Sequence, residues 1–287
     1  MAKSREFPES NYKAVYSNGK TFRFAIDSEK EISPLAFPEF YDVDIFGYGG
    51  RCEGRCPYCY LAANPKGQVV KDAVQKIYQF FGQMSDNERP FQVALPGSGE
   101  GYLHPEFIDI LAAFCDLGIV PNYTTNGMWS CEDTDTIHKL MTATQKYCGG
   151  VALTYHNHLR HYFEKSIDIL SEWNIKTNLH FIISNEESVD LFVQIFQQHI
   201  NKFNVAVLLP YGVQGHAKKD KKISWNYLMK NLPLSREKIA FGANFYPYII
   251  SETDVCLDLS LYKERDFSKF LDLCTMRAYP SSWEYVS

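Results

Sequence analysis

The sequence predicts an α/β fold: a partial (β/α)6 TIM-like barrel, a parallel sheet with outer helices. Three observations carry this expectation. Short apolar runs alternate with longer segments of helical period, as βαβ units require. About six such units follow one another, short of the eight that close a full barrel. Each apolar run is followed by turn residues, which in a parallel sheet mark the edge where ligands bind.

After a polar, Pro-containing lead-in to about Pro38, strands are predicted at Tyr41–Phe46, Phe91–Leu95, Val120–Thr124, Gly150–Tyr155, Thr177–Ile183 and Asn204–Leu209. Helices are predicted between and after them at Val69–Met84, Pro105–Leu117, Asp133–Tyr147, Leu159–Trp173, Glu186–Ile200 and Trp225–Asn231. Phe107, Ile110, Leu111 and Phe114 share one helical face, as do Ile167, Leu170 and Trp173, and both stripes read as core. The chain divides into an N-terminal flank (1–40), the barrel core (41–217) and a C-terminal flank packing on the core (218–287). Both flanks are rich in Tyr and Phe and are expected to cover the gap of an open barrel and shape its pocket. The lysine-rich HAKKDKK at 216–222 reads as a solvated loop.

The formal charge of −5 argues against a surface built to neutralise the phosphates of duplex nucleic acid. MAKSREFPES lacks the apolar stretch of a signal peptide, and no later apolar run approaches the ~20 residues of a membrane span. A soluble, cytoplasmic protein with no membrane partner is expected. In a reducing compartment clustered cysteines are ligands or reactive thiols before they are disulfides.

Such a cluster follows the first strand. RCEGRCPYCY places Cys52, Cys56 and Cys59 within eight positions and supplies no fourth cysteine nearby. A structural zinc site fills four positions, and a four-iron, four-sulfur cluster is usually held by four cysteines. With three, one iron keeps an open position, the arrangement catalysis uses. Two alternatives stand beside this. One is a non-catalytic iron-sulfur or zinc-binding protein completed by a distant ligand. The other is a redox-active thiol pair at Cys56-Pro57-Tyr58-Cys59, which would have no need of Cys52. After the second strand, LPGSGEGYLHPEF resembles a dinucleotide loop only superficially, since Tyr102 stands where the third glycine belongs.

The spacing Cys52-x-x-x-Cys56-x-x-Cys59, with Tyr58 before the last cysteine, resembles the signature of radical S-adenosylmethionine enzymes. The resemblance implies one 4Fe-4S cluster on Cys52, Cys56 and Cys59, with S-adenosyl-L-methionine chelating the open iron and Tyr58 beside its adenine. Ser98-Gly99-Glu100 resembles the family's Gly-Gly-Glu motif, with Glu100 assigned to the cosubstrate's α-ammonium group and Ser98 and Gly99 to its methionine moiety. Thr125 and Asn126 belong to a Thr-Asn-Gly segment and are implied near the ribose. Thr154 occupies a position where relatives place Ser or Asp, followed by His156, Asn157 and His158, with Asn157 a natural N-cap for the next helix. Asn178 and His180 share one face of the fifth strand, and the last loop, LLPYGVQGHA, resembles a segment that passes the adenine.

These correspondences run over about residues 41–217. The implied activity is reductive cleavage of S-adenosylmethionine to a 5′-deoxyadenosyl radical that abstracts hydrogen from a peptide, nucleotide or small metabolite. A one-electron donor such as a flavodoxin or ferredoxin is the implied partner. Cys256 and Cys274 are too few for a second cluster, and Cys115, Cys131 and Cys148 read as buried small apolar residues.

Overall fold

The chain opens with a meander that hydrophobic periodicity does not reveal: β1 (Lys3–Phe7), β2 (Tyr12–Ser17) and β3 (Lys20–Ala25), antiparallel in that order. The computed structural model describes residues 3–212, 214–217, 224–242, 245 and 267–286. Alternation in β2 turns Tyr12, Ala14 and Tyr16 inward onto Leu35, Phe91 and Phe267. Phe91 and Phe267 immediately precede barrel strands, so the meander packs beneath the strands' amino ends and not across the gap expected for the N-terminal flank. Glu39, also at that end, accepts from the Tyr12 hydroxyl at 2.5 Å and pairs with Arg23.

The predicted strand-helix units are all present: β4 (Phe40–Asp44), α1 (Ala73–Phe81), β5 (Gln92–Leu95), α2 (Phe107–Asp116), β6 (Val120–Thr125), α3 (Thr134–Tyr147), β7 (Gly150–Tyr155), α4 (Arg160–Glu172), β8 (Thr177–Ile183), α5 (Glu186–His199), β9 (Val205–Pro210) and α6 (Trp225–Asn231). Past them lie β10 (Ile239–Phe241), β11 (Ser268–Asp272), β12 (Arg277–Tyr279) and a short α7 (Ser282–Val286). Among the described residues the main sheet runs β10-β9-β8-β7-β6-β5-β4-β11-β12 and is open, with β10 and β12 at its edges. Every pairing in it is parallel except β11 with β12. The sheet therefore extends past β4 through residues near the chain's end, with Asp272 opposite Asp44.

Alternation sorts the strand residues into two faces. Val43, Val93, Leu95, Tyr123, Val151, Leu153, Leu179, Phe181, Ala206 and Leu208 are buried in one core with helix residues such as Ile77, Phe114, Phe163 and Phe192. The alternate positions, among them Asn122, Thr124, Thr154, Asn178 and His180, line the inner face.

Helix α1 is shorter than its period suggests. The Val70 amide donates to Ile45 O and Asp72 takes a left-handed φ of 56°, so the segment before Ala73 is extended loop. The Glu106 carboxylate then caps it by accepting from Ala73 N at 3.0 Å. Helix α5 starts with a capping box between Asn185 and Ser188. Asn157 is not the cap expected for α4; it lies in a 3-10 turn and accepts from the Tyr155 hydroxyl. Cys115 and Cys131 are exposed, contrary to their reading as core residues, because each sits one position off its segment's buried face. Cys256 and most of the lysine-rich loop lie outside the described residues. Among the described residues no helix is long and apolar enough to cross a membrane.

Candidate active site

Three loops at the carboxyl ends of β4, β5 and β6 meet around the cysteines. The first is anchored at the last residue of β4, where Asp44 Oδ1 accepts from the amides of Phe46 at 2.8 Å and Gly47 at 3.1 Å. The same oxygen accepts from the Ser98 hydroxyl on the second loop. One fully buried carboxylate thus ties the cysteine loop to the Ser98-Gly99-Glu100 loop. Burial raises its pKa to about 6, with Asp272 opposite adding to the rise. The first loop folds back on itself through Cys52 N to Asn64 O and Arg51 N to Gln68 O. Arg51 O in turn accepts from Glu100 N at 2.8 Å. That close passage explains Gly99: a Cβ there would stand 2.5 Å from the Phe46 ring and 2.7 Å from Arg51 O.

Glu100 is buried and doubly held, accepting from the Thr125 hydroxyl at 2.5 Å and from Asn126 N at 2.9 Å. Desolvation lifts its pKa to about 7 in spite of these bonds. A cation placed beside it would restore full ionisation. Thr125 also accepts from Gly127 N, so its hydroxyl is committed within the loop. Asn126 Oδ1 accepts from Met128 N and its Nδ2 reaches Cys52 Sγ at 3.5 Å.

The three thiols are half-buried on one loop. Burial pushes Cys52 and Cys56 up to about 12, Cys52 with help from Glu100 and Cys56 with help from Cys59. Redox-active Cys-x-x-Cys pairs need the opposite, a thiol lowered by a helix amino end or a cation. Cys56 and Cys59 instead lie in a turn closed by Cys59 N to Cys56 O. Among the described residues no three Cys, His, Asp or Glu side chains converge tightly enough for one metal ion. A cubane, whose ligands bind separate irons, suits three such thiols better than a lone zinc does. Two of the nearby imidazoles are engaged, while His216 on the loop after β9 is exposed. His156 Nδ1 meets the Tyr58 hydroxyl at 2.9 Å, and His158 Nε2 donates to Gly54 O at 2.9 Å. Cys115 lies on α2 and Cys148 ends α3, while Cys131 closes the 3-10 turn after β6 and Cys274 follows β11, with its Cβ 3.5 Å from where a Cβ on Gly47 would stand.

Tyr58 stands among His156, His158 and Tyr211, and His216 N donates to Cys59 O, so the loops after β7 and β9 both brace the cysteine loop. Thr154 lies on the inner face near the end of β7, opposite His180 of β8. Asn178 lies two residues nearer the base and makes no hydrogen bond to the cysteine loop among the described residues. Asp44 and Asn64 are the contributors that sequence reasoning missed. An Asp ending a strand before a turn is a recognisable Asx signal, whereas Asn64 gives none.

Fold and site together define an open α/β barrel that gathers three thiols and a buried carboxylate at the carboxyl edge of its sheet. Among solved structures the chain is similar to Streptococcus suis SuiB bound to S-adenosylmethionine, with a TM-score of 0.63, 18% identity and coverage of 86% of this chain and 61% of that one. SuiB bound to the precursor peptide SuiA gives a TM-score of 0.61, 20% identity and coverage of 86% and 60%. Native anSMEcpe with bound AdoMet and Kp18Cys peptide gives 0.52, 12% identity and coverage of 76% and 68%. The chain thus spans about three-fifths of the length of SuiB. No protein-family model matches the chain, and no curated protein matches it in sequence. The fold these structures share is the partial barrel that the periodicity predicts.

Proposed function

We propose that this chain is a radical S-adenosylmethionine enzyme. The observation that carries the proposal is one loop presenting three half-buried thiols, with the buried Glu100 carboxylate fixed behind it. Cys52, Cys56 and Cys59 would hold a 4Fe-4S cluster, which when bound and reduced supplies the electron that cleaves S-adenosylmethionine to methionine and a 5′-deoxyadenosyl radical.

The protein's own part is placement. Glu100 offers a desolvated carboxylate to the cosubstrate's α-ammonium group, a charge-assisted bond. Thr125 and Asn126 keep that carboxylate from turning away. Tyr58, braced by His156, would form a wall for the adenine, and Thr154 near the end of β7 would stand on the ribose side. The one-electron donor is a flavodoxin or ferredoxin of the cytoplasm.

The substrate docks against the inner face, where hydrogen is abstracted. The inner positions of β5 to β9 carry no Lys or Arg; their polar groups are Gln92, Asn122, Thr124, Thr154, Asn178 and His180. Burial holds His180 near 4, so it is neutral at pH 7. Such a surface favours an uncharged hydrogen-bonding group, such as a peptide amide, over a phosphate.

Electron paramagnetic resonance of the anaerobically reconstituted, reduced chain, with and without S-adenosylmethionine, tests the proposal. A cluster signal that changes on addition of S-adenosylmethionine is expected. A signal indifferent to it would mean a fourth protein ligand, and the catalytic reading would fall.

A further inference from the structure

We propose that Asn126 is a positioning residue for the cluster, its side-chain amide donating to Cys52 Sγ and so setting how readily the cluster accepts an electron. This rests on the reading that Cys52, Cys56 and Cys59 hold that cluster. Three bonds fix the orientation of Asn126. Its backbone amide is spent on Glu100 Oε2 at 2.9 Å, and its Oδ1 accepts from Met128 N at 2.9 Å. With the carbonyl oxygen turned to Met128, Nδ2 is left facing Cys52 Sγ at 3.5 Å. The side chain is 6% exposed, so water does not compete for the amide.

A second donor converges on the same sulfur, Gly54 N at 3.3 Å. Gly54 is itself held by His158 through its carbonyl, and a Cβ on it would come within 3.0 Å of Asn126 Nδ2. The sulfur of Cys56 is met by its own backbone N–H and lies 4.0 Å from Gly54 O. The three ligands are unequal: among the described residues Cys52 takes two N–H donors, and one of them is a side-chain amide. Reduction adds negative charge to the cluster and its thiolates, and an N–H donor favours the more negative state. The Asn126 amide therefore raises the reduction potential, and its loss makes reduction harder. Because the backbone of Asn126 is bonded to Glu100, the residue that tunes Cys52 is anchored to the carboxylate proposed to receive the cosubstrate.

Two measurements on the reconstituted full-length chain test the assignment. In protein carrying ¹⁵N-labelled asparagine side chains, pulsed electron paramagnetic resonance of the reduced cluster is expected to show a weak ¹⁵N coupling, absent in Asn126→Asp. In a redox titration with iron content matched, the midpoint is expected to shift downward in two variants. Asn126→Asp keeps the acceptor for Met128, and Asn126→Leu adds no charge. A wild-type cluster with no ¹⁵N coupling overturns the assignment, and so do unchanged midpoints in both variants. If a variant fails to load iron, the wild-type coupling decides alone. A wild-type chain that takes up no cluster overturns the proposed function and this assignment with it. A cluster that forms and responds to S-adenosylmethionine without coupling or shift overturns the assignment alone.

Discussion

Replacing Asp44 by Asn in the metal-free protein has a consequence whose size and sign follow from burial. Asp44 is fully buried, and its carboxyl is displaced from an ordinary 3.8 to about 6, chiefly by desolvation. An acid whose folded pKa lies above its unfolded value contributes stability that is present below pH 3.8 and lost as pH rises through about 6. A displacement of that size is worth about 3 kcal/mol. Asn cannot ionise, yet its Oδ1 still accepts from Phe46 N and Gly47 N. Urea denaturation of both proteins between pH 4 and pH 7 should therefore show the wild type losing about 2.5 kcal/mol relative to Asp44→Asn as pH rises. A stability difference that stays flat with pH would mean that water reaches Asp44, and its role as a dry clamp between two loops would be refuted.

Ser98 donates its hydroxyl to Asp44, so Ser98→Ala should cost about 1 kcal/mol of stability. It should leave S-adenosylmethionine affinity within about twofold by calorimetry, whereas a direct cosubstrate contact would lose tenfold or more. Glu100→Gln removes the charge but keeps an acceptor; loss of a charge-assisted bond of about 1.5–3 kcal/mol predicts S-adenosylmethionine binding weaker by a factor of ten or more. Among the described residues His199 is buried against Phe163 with neither ring nitrogen hydrogen-bonded, and burial lowers its pKa. Its neutral form therefore supports the fold above pH 6.5, that support is lost as pH falls, and the melting temperature of His199→Leu should fall less than that of the wild type between pH 7 and pH 5. Phe192, fully buried between Phe181 and Phe196, should cost about 3–5 kcal/mol on replacement by Ala, read as a lower denaturation midpoint.

The parallel units were legible because each strand buries one face and each helix one stripe. Val151, Leu153 and Tyr155 alternate, as do Leu179, Phe181 and Ile183, and α4 turns Phe163, Ile167 and Leu170 to the same core. The meander was not legible. Its β3 alternates at Phe22 and Phe24, but both are exposed, so the alternation marks no buried face. Strand β11 escaped for another reason: Ser268–Asp272 is short and pairs with β4, more than two hundred residues away in sequence, and local pattern carries no trace of such a partner. The cysteine spacing was legible in full, since three thiols in eight positions have few structural uses. How the neighbouring polar residues divide their work was not, because a hydrogen-bond partner is a property of the fold.

That division bears on how the site is built. Ser98, Thr125 and Asn126 are small polar residues in loops expected to touch a cosubstrate, yet their side chains are spent on Asp44, on Glu100 and on Met128 and Cys52. Glu100 alone among these carries a charge, and it is the group the others surround. A carboxylate left to rotate in water would hydrate and swing with its loop. Held by Thr125 and Asn126 at the cost of desolvation, it is poised near pH 7 between neutral and ionised. An arriving ammonium group would settle that balance toward the carboxylate and meet a partner already aimed, so little ordering entropy is lost on binding. The polar residues of the three loops thus act mainly on one another, and affinity for the cosubstrate should depend on the Glu100 charge far more steeply than on any hydroxyl around it.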